Sequence, residues 1–251
     1  MNRFRLFTAC ALCFTFLPLP LRAAAKESKI DPAAIESLKK MCATLEDAAA
    51  FTYETEGIVE APTPSGQTIT LFPATEVAVK KPNKLRVELR GEGPAFDFFY
   101  DGKTAVAYAP EAKKYSIAAA PPTLDDMLPA LEKETGIQFI TAPLLFKDPY
   151  AAIGRPITSA AVVGSAVIKG MPCQHLAFRS PGVEWELWVD EGGKSLPRRL
   201  VVNFTDQRDL PRVLVEFTKW NLRPWLRDSL FEFSKPADGQ EIPFLSVQKS
   251  E

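Results

Sequence analysis

The sequence predicts an α+β fold that is mainly antiparallel β: a single curved sheet of about eleven strands covered by a few helices. Three observations carry this expectation. Apolar and polar residues alternate through most of the chain, the period of a strand with one buried and one wetted face. Connections between these runs are short and rich in turn residues, as antiparallel neighbours require. Helical spacing occurs in two places, once before the strands and once midway.

Asp31-Pro32 starts the first helix, an N-cap acceptor followed by proline at the first helical position. Ile35, Leu38, Met41, Cys42 and Leu45 recur at helical spacing, so this helix presents one apolar stripe to a sheet. Phe51, Tyr53 and Val59 share one face of the first strand. Ile69, Leu71, Val77 and Val79 share one parity of the second, with Pro73 marking a bulge or an edge. Leu85, Val87 and Leu89 alternate with Arg86, Glu88 and Arg90 in the third. Asp101-Gly102, between Phe96–Tyr100 and Lys103–Tyr108, is the strongest hairpin signal. Tyr115 and Ile117 follow a turn at residues 110–112.

The pattern then changes. Thr123 caps a helix that carries Leu124, Met127, Leu128 and Leu131, with Asp125 and Asp126 in the first turn, where the helix dipole favours them. Ala142 to Ile153 reads as a second short helix, broken near Pro149. Strands are expected again at 161–169, 173–179, 183–190, 199–204, 213–220 and 231–233. In the run from Val183, the residues Val183, Trp185, Leu187 and Val189 alternate with Glu184, Glu186, Trp188 and Asp190. Trp185 is therefore expected on the apolar face and Trp188 on the other, with Gly192-Gly193 turning the chain.

Residues 1–25 read as a signal peptide. Arg3 and Arg5 form a positive start, Leu6 to Leu21 is apolar but broken by Pro18 and Pro20, and Ala23-Ala24-Ala25 offers a cleavage site. Cys10 and Cys13 sit poorly for lipidation, because Cys10 lies too close to Arg5 and Cys13 follows the bulky Leu12. Residues 26–251 read as one domain. Losing Arg3, Arg5 and Arg22 takes the formal charge from −1 to −4, mild acidity that argues against a nucleic-acid partner. With that signal peptide the chain is expected to be exported to an oxidising compartment. One disulfide, between Cys42 and Cys173, is a candidate there, pinning helix to sheet.

Motifs for chemistry are sparse. The chain has one histidine, His175, so neither a multi-histidine zinc site nor a serine–histidine triad with a glycine-flanked nucleophile is present. Phosphate-loop and dinucleotide glycine patterns are absent. Glu184 and Glu186 read as solvated charges; Arg198-Arg199 is a candidate site for an anionic head group or partner, weighed against a strand-edge pair that compensates the two glutamates. No catalytic residue, metal site or cofactor is assigned, and the chain is not read as an enzyme. The aromatic set Tyr53, Phe96, Phe98, Tyr100, Tyr108 and Trp185 is a candidate cavity lining, together with Leu71, Val87, Leu128, Leu131, Leu145 and Leu187.

Several segments together resemble a known family. They are Lys81-Pro-Asn-Lys-Leu-Arg-Val-Glu, Phe98-Phe-Tyr-Asp-Gly-Lys-Thr, Ala120-Pro-Pro-Thr-Leu-Asp, Asp148-Pro-Tyr, Gly170-Met-Pro-Cys-Gln-His-Leu-Ala-Phe-Arg, Trp185-Glu-Leu-Trp-Val-Asp and Leu196-Pro-Arg-Arg-Leu-Val. In this order they resemble a bacterial family of predicted periplasmic proteins, a domain of unknown function. That family is similar in turn to the superfamily of the lipoprotein carriers LolA and LolB and the sigma-factor regulator RseB. The resemblance implies an unclosed antiparallel barrel with helices as a lid over an apolar cavity. It implies binding of a lipid, an acyl chain or another hydrophobic molecule, or an RseB-like interaction with a periplasmic protein partner. Peripheral contact with a membrane is compatible with either. No catalytic residues carry over.

Overall fold

A computed structural model describes residues 30–63, 65–153, 156–205 and 212–244. The expected signal peptide, with Cys10 and Cys13, lies outside the described residues. The chain opens with helix α1 (Pro32–Glu46), then strands β1 (Ala50–Pro62), β2 (Thr68–Leu71), β3 (Pro73–Lys80), β4 (Lys84–Gly91), β5 (Phe96–Tyr100), β6 (Thr104–Ala109) and β7 (Lys114–Ala119). A helical interlude holds α2 (Leu124–Thr135), a 3-10 turn (Ala142–Leu145) and α3 (Pro149–Ile153). Then come β8 (Ser159–Ile168), β9 (Met171–Ser180), β10 (Val183–Asp190), β11 (Pro197–Phe204) and β12 (Val213–Asn221). A second 3-10 turn (Asp228–Phe231) and the short β13 (Gln240–Glu241) close the described chain.

Among the described residues, all thirteen strands form one sheet, in the order β13-β7-β6-β5-β4-β3-β1-β12-β11-β10-β9-β8, with β2 paired to β1 off this path. Every pairing of these strands is antiparallel except β13 with β7. The first strand and the last long strand meet at the centre: β1 pairs with β12 from Thr52↔Asn221 to Val59↔Val213. The outermost strands, β13 and β8, do not pair with each other, so the sheet stays open.

The local reasons follow the sequence. Asp31 accepts from the Ala33 backbone N–H at 2.9 Å and caps α1. Its own N–H donates to the Ala160 carbonyl at 2.9 Å, tying the helix start to β8. Ala34, Leu38, Met41, Cys42 and Leu45 form the buried stripe, and each fully buried large side chain contributes roughly 1.5–3 kcal/mol. Thr123 caps α2 by accepting from the Asp126 N–H. Gly136 ends the helix in the left-handed region that glycine tolerates. At the Asp101-Gly102 turn, Asp101 accepts from the N–H groups of Lys103 and Thr104 at 2.9 and 2.8 Å. Gly102 has φ +92, a backbone conformation that L side chains rarely adopt, so glycine is required there.

One large apolar cluster joins α1 and α2 to the inner sheet face, with Phe98 of β5 and Trp185 of β10 in the same cluster. Strands far apart in the sheet thus share a core, and the sheet curls around it. Trp185 stacks on Phe178 at 4.1 Å on this inner face. Trp188 lies on the outer face, stacked on His175 at 4.0 Å, in a smaller cluster with Ile168, Cys173 and Val201. The alternation read from the sequence holds at both tryptophans.

Other expectations are corrected. The second strand is two, because the chain breaks at Phe72 and β2 pairs with the far end of β1. Ala142 to Ile153 does break before Pro149 as expected, but its first part is a 3-10 turn rather than α-helix, and Asp148 starts α3 by accepting from the Ala151 N–H at 2.7 Å. The strand expected at 231–233 is absent: Phe231 ends a 3-10 turn and is fully buried. The Cys42–Cys173 bridge is not made. Both thiols are free and buried, one in the inner cluster and one in the outer. The sheet lies between them, whereas a disulfide spans roughly 4.4–6.8 Å of Cα separation. Burial, helped by the charges of Asp148 and Glu46, pushes the Cys42 thiol up to about 12.

The two arginines after Pro197 also find partners other than those expected. Arg198 binds the buried Asp190 through Nε and Nη2, at 3.0 and 2.7 Å. Arg199 binds Glu216 on β12, its neighbour in the ladder. Glu184 pairs instead with Arg179, and Glu186 with His175 at 2.8 Å.

Candidate apolar binding site

Two cavities lie between the inner sheet face and the helical interlude. The first, of about 380 Å3, is walled by Trp185, Leu187, Leu200, Val202 and Phe217 from the sheet and by Leu128, Leu144 and Phe146 from the interlude. The second, of about 580 Å3, is walled by Tyr53, Val59, Leu71, Val77, Val87, Leu89, Phe96 and Val215 from the sheet and by Leu145. Both fall in the range of small-molecule sites, ~300–1,000 Å3. The strand period explains the walls: alternate residues of each strand face the same side, and on the inner side these are apolar.

A short strap separates them. Ile137, Gln138, Phe139 and Ile140, between α2 and the 3-10 turn, line both cavities. The strap is held at three points. The Thr135 hydroxyl accepts from the Ile137 N–H at 3.1 Å. Phe139 meets Phe98 edge to face at 5.2 Å. The Tyr53 hydroxyl bonds the Thr141 hydroxyl at 2.8 Å. Burial drives the Tyr53 phenol well above its ordinary range, only partly opposed by that bond, so it stays a neutral anchor.

The candidate residues divide into three groups. Tyr53, Leu71, Val87, Phe96 and Leu145 line the larger cavity, and Leu128, Trp185 and Leu187 the smaller. Phe98, Tyr100 and Leu131 are buried core beside the cavities, and the Tyr100 hydroxyl donates to the Pro121 carbonyl. Tyr108 is misplaced. It pairs across from Asp97 and Tyr115 on the outer face and packs on Phe233, ring centres 5.5 Å apart. The turn at Asp101-Gly102 sets that parity. No local pattern marks the strap. Its run Ile-Gln-Phe-Ile-Thr has no strand or helix period, though three apolar residues between two helices are a signal in themselves.

For chemistry the site offers little. Among the described residues no group of three or more His, Cys, Asp or Glu side chains is placed to hold a metal. The ionisable carboxylates among the described lining residues are Glu132 in the smaller cavity and Glu92 in the larger. Glu132 accepts from the Gln138 amide at 3.0 Å, and Glu92 from the Phe72 N–H at 3.0 Å. Among the described residues, no helix is long and apolar enough to cross a membrane.

A family model described as "Predicted periplasmic protein (DUF2092)" matches residues 34–245. A search of curated proteins finds no match. Solved structures that the chain is similar to include an uncharacterized conserved protein from Thermus thermophilus. The two are 14% identical over 84% of this chain and 99% of that one, with a TM-score of 0.49. Lipoprotein LppX from Mycobacterium tuberculosis is 13% identical over 76% of this chain and 96% of its own, with a TM-score of 0.47. A LolA superfamily protein from Nitrosomonas europaea is 12% identical over 80% and 97%, with a TM-score of 0.40.

Proposed function

We propose, from the premise that this chain belongs to the DUF2092 family of predicted periplasmic proteins, that it is a non-catalytic binder of a hydrophobic ligand, a lipid or acyl chain. Residues 1–25 direct it to the periplasm and are removed, leaving 26–251 as one domain. The observation that carries the reading is the pair of apolar cavities between sheet and helices. Each methylene moved from water into them contributes about 0.8 kcal/mol, so a chain of ordinary length supplies enough free energy for binding without any polar recognition. The function is then uptake and release, with no bond made or broken.

Native mass spectrometry after mild purification tests this: co-purified lipid mass is expected. Trp185 should report occupancy, since it lines the smaller cavity while Trp188 faces outward. Lipid addition is expected to change tryptophan emission in the wild type and in Trp188→Phe, and to change it much less in Trp185→Phe, where Trp220 remains against Tyr53 of the larger cavity. Protein that is always free of lipid, and takes up none when offered, rejects the proposal.

A second reading, a partner-binding module, has one observation in its favour. The edge strand β8 carries Val163 and Val167 at 56% and 69% exposure. An extended segment of a partner protein can add to such an edge as a further strand. A single stoichiometric protein recovered from periplasmic extract, lost on Val163→Lys, would support it over the carrier reading.

A further inference from the structure

We infer that the two cavities are limbs of one site for a twin-tailed lipid whose head group is uncharged or cationic, its tails parted by the Ile137–Ile140 strap. This rests on the binding reading above and specifies the ligand class.

The strap is the first observation. Four consecutive residues wall both cavities, so the chambers are neighbours across a partition one chain thick. Each chamber alone is the size of a small-molecule site. A ligand that fills both must fork at the strap, one apolar limb on either side. The strap itself is sided. Ile137, Phe139 and Ile140 are half-buried, while Gln138 is exposed and its amide donates to Glu132. A head group joining two tails would thus sit at a polar, wet crossing point above an apolar partition.

Charge is the second observation. Glu132 lines one limb and Glu92 the other, and among the described lining residues neither limb has a lysine, arginine or histidine. A carboxylate or phosphate brought to this crossing meets like charge from Glu132, which is bonded to Gln138, an exposed repulsion that is felt most at low ionic strength. A hydroxyl or ammonium head instead finds carboxylate and amide acceptors. The geometry therefore selects diacylglycerol-like or amine-headed lipids over fatty acids and phosphatidates.

The test uses the protein from residue 26 onward, stripped of lipid, at about pH 7.5 and low ionic strength. Native mass spectrometry is run with monoolein, diolein and dioleoyl phosphatidic acid, with competition titrations for affinity. The expected result is two monooleins or one diolein per chain. Diolein should bind about tenfold tighter than the phosphatidic acid, a difference of about 1.4 kcal/mol. In the Glu92→Gln/Glu132→Gln double variant that preference should fall to about threefold or less, because the phosphatidic acid gains affinity once the carboxylates are gone. Two dioleins per chain, a single monoolein, or equal affinity for the phosphatidic acid would overturn this inference and leave the binding reading intact. Uptake of none of the three would overturn the binding reading and this one with it.

Discussion

Asp190 and Arg198 show how much one residue pair can hold. Asp190 ends β10 with its side chain only 3% exposed, and Arg198 at the start of β11 reaches back to it. Both arginine nitrogens bind one carboxylate oxygen, and the other, Oδ1, has no partner among the described residues. The same corner carries the Asp190 N–H to Leu196 carbonyl bond at 2.9 Å and the bulge between Trp188 and Val189. The pair therefore closes an irregular turn in which the left-handed residue is Ser195, at φ 46, rather than either glycine of the Gly-Gly step. Arg198→Ala leaves a buried carboxylate unpaired and should cost about 3 kcal/mol, read as a lower urea midpoint with an unchanged slope. An Asp190→Asn/Arg198→Met double variant should lose much less. Equal loss in both would mean that the turn, not the charge, is being damaged.

At the scale of elements, the outer sheet face is stitched by charge. Glu56 of β1 lies directly opposite Glu216 of β12, a like-charge pair at the central seam. Lys169, from the β8–β9 turn, binds both, and Arg199 binds Glu216 from β11. Burial raises the Glu216 carboxyl, but Arg199 and Lys169 outweigh it and hold the group below its ordinary 4.5. A depressed folded value contributes stability that is complete above the unfolded value and fades as pH falls below about 4.5 through the folded one. Glu216→Gln should therefore destabilise the protein at about pH 7, yet flatten the loss of stability between about pH 5 and pH 3 in urea titrations. A steeper acid slope in the variant would contradict this.

Legibility in the sequence also divides by element. Trp185 and Trp188 were separable because a strand period puts neighbours on opposite faces whatever the fold. The helix starts at Asp31 and Thr123 were readable because capping is local chemistry. Tyr108 was not, because its face depends on how the hairpin before it pairs, and Asp97↔Tyr108 is a fact of register. The partners of Arg198 and Arg199 depend on the bulge at Trp188 and Val189 and on the neighbouring β12, which no local pattern encodes. The strap escaped for a different reason. It is shaped by what it packs on, Phe98 and Tyr53, and both belong to strands that precede it by several elements. The Tyr53–Thr141 bond alone spans 88 residues of sequence, so no window short enough to show a period contains both ends.

For the whole molecule, ligand and stability are linked. If the cavities are filled in the purified protein, stripping the lipid should lower the melting temperature, and adding it back should restore it in proportion to the logarithm of lipid concentration. A melting temperature indifferent to lipid would argue that the cavities stay empty.

The central seam between β1 and β12 has a consequence in time. A chain is made from its N-terminus, and β1 is among its first strands. One neighbour, β3, follows at once, but the other, β12, begins only at Val213, long after β1 ends at Pro62. Until β12 arrives, β1 keeps an open edge in the middle of the future sheet, and β11 keeps another. The two half-sheets can form early, but they can be joined only by the last long strand. Completion is thus reserved for a chain that has been synthesised through β12, and a chain stopped before Val213 should remain an aggregation-prone intermediate with two unpaired edges.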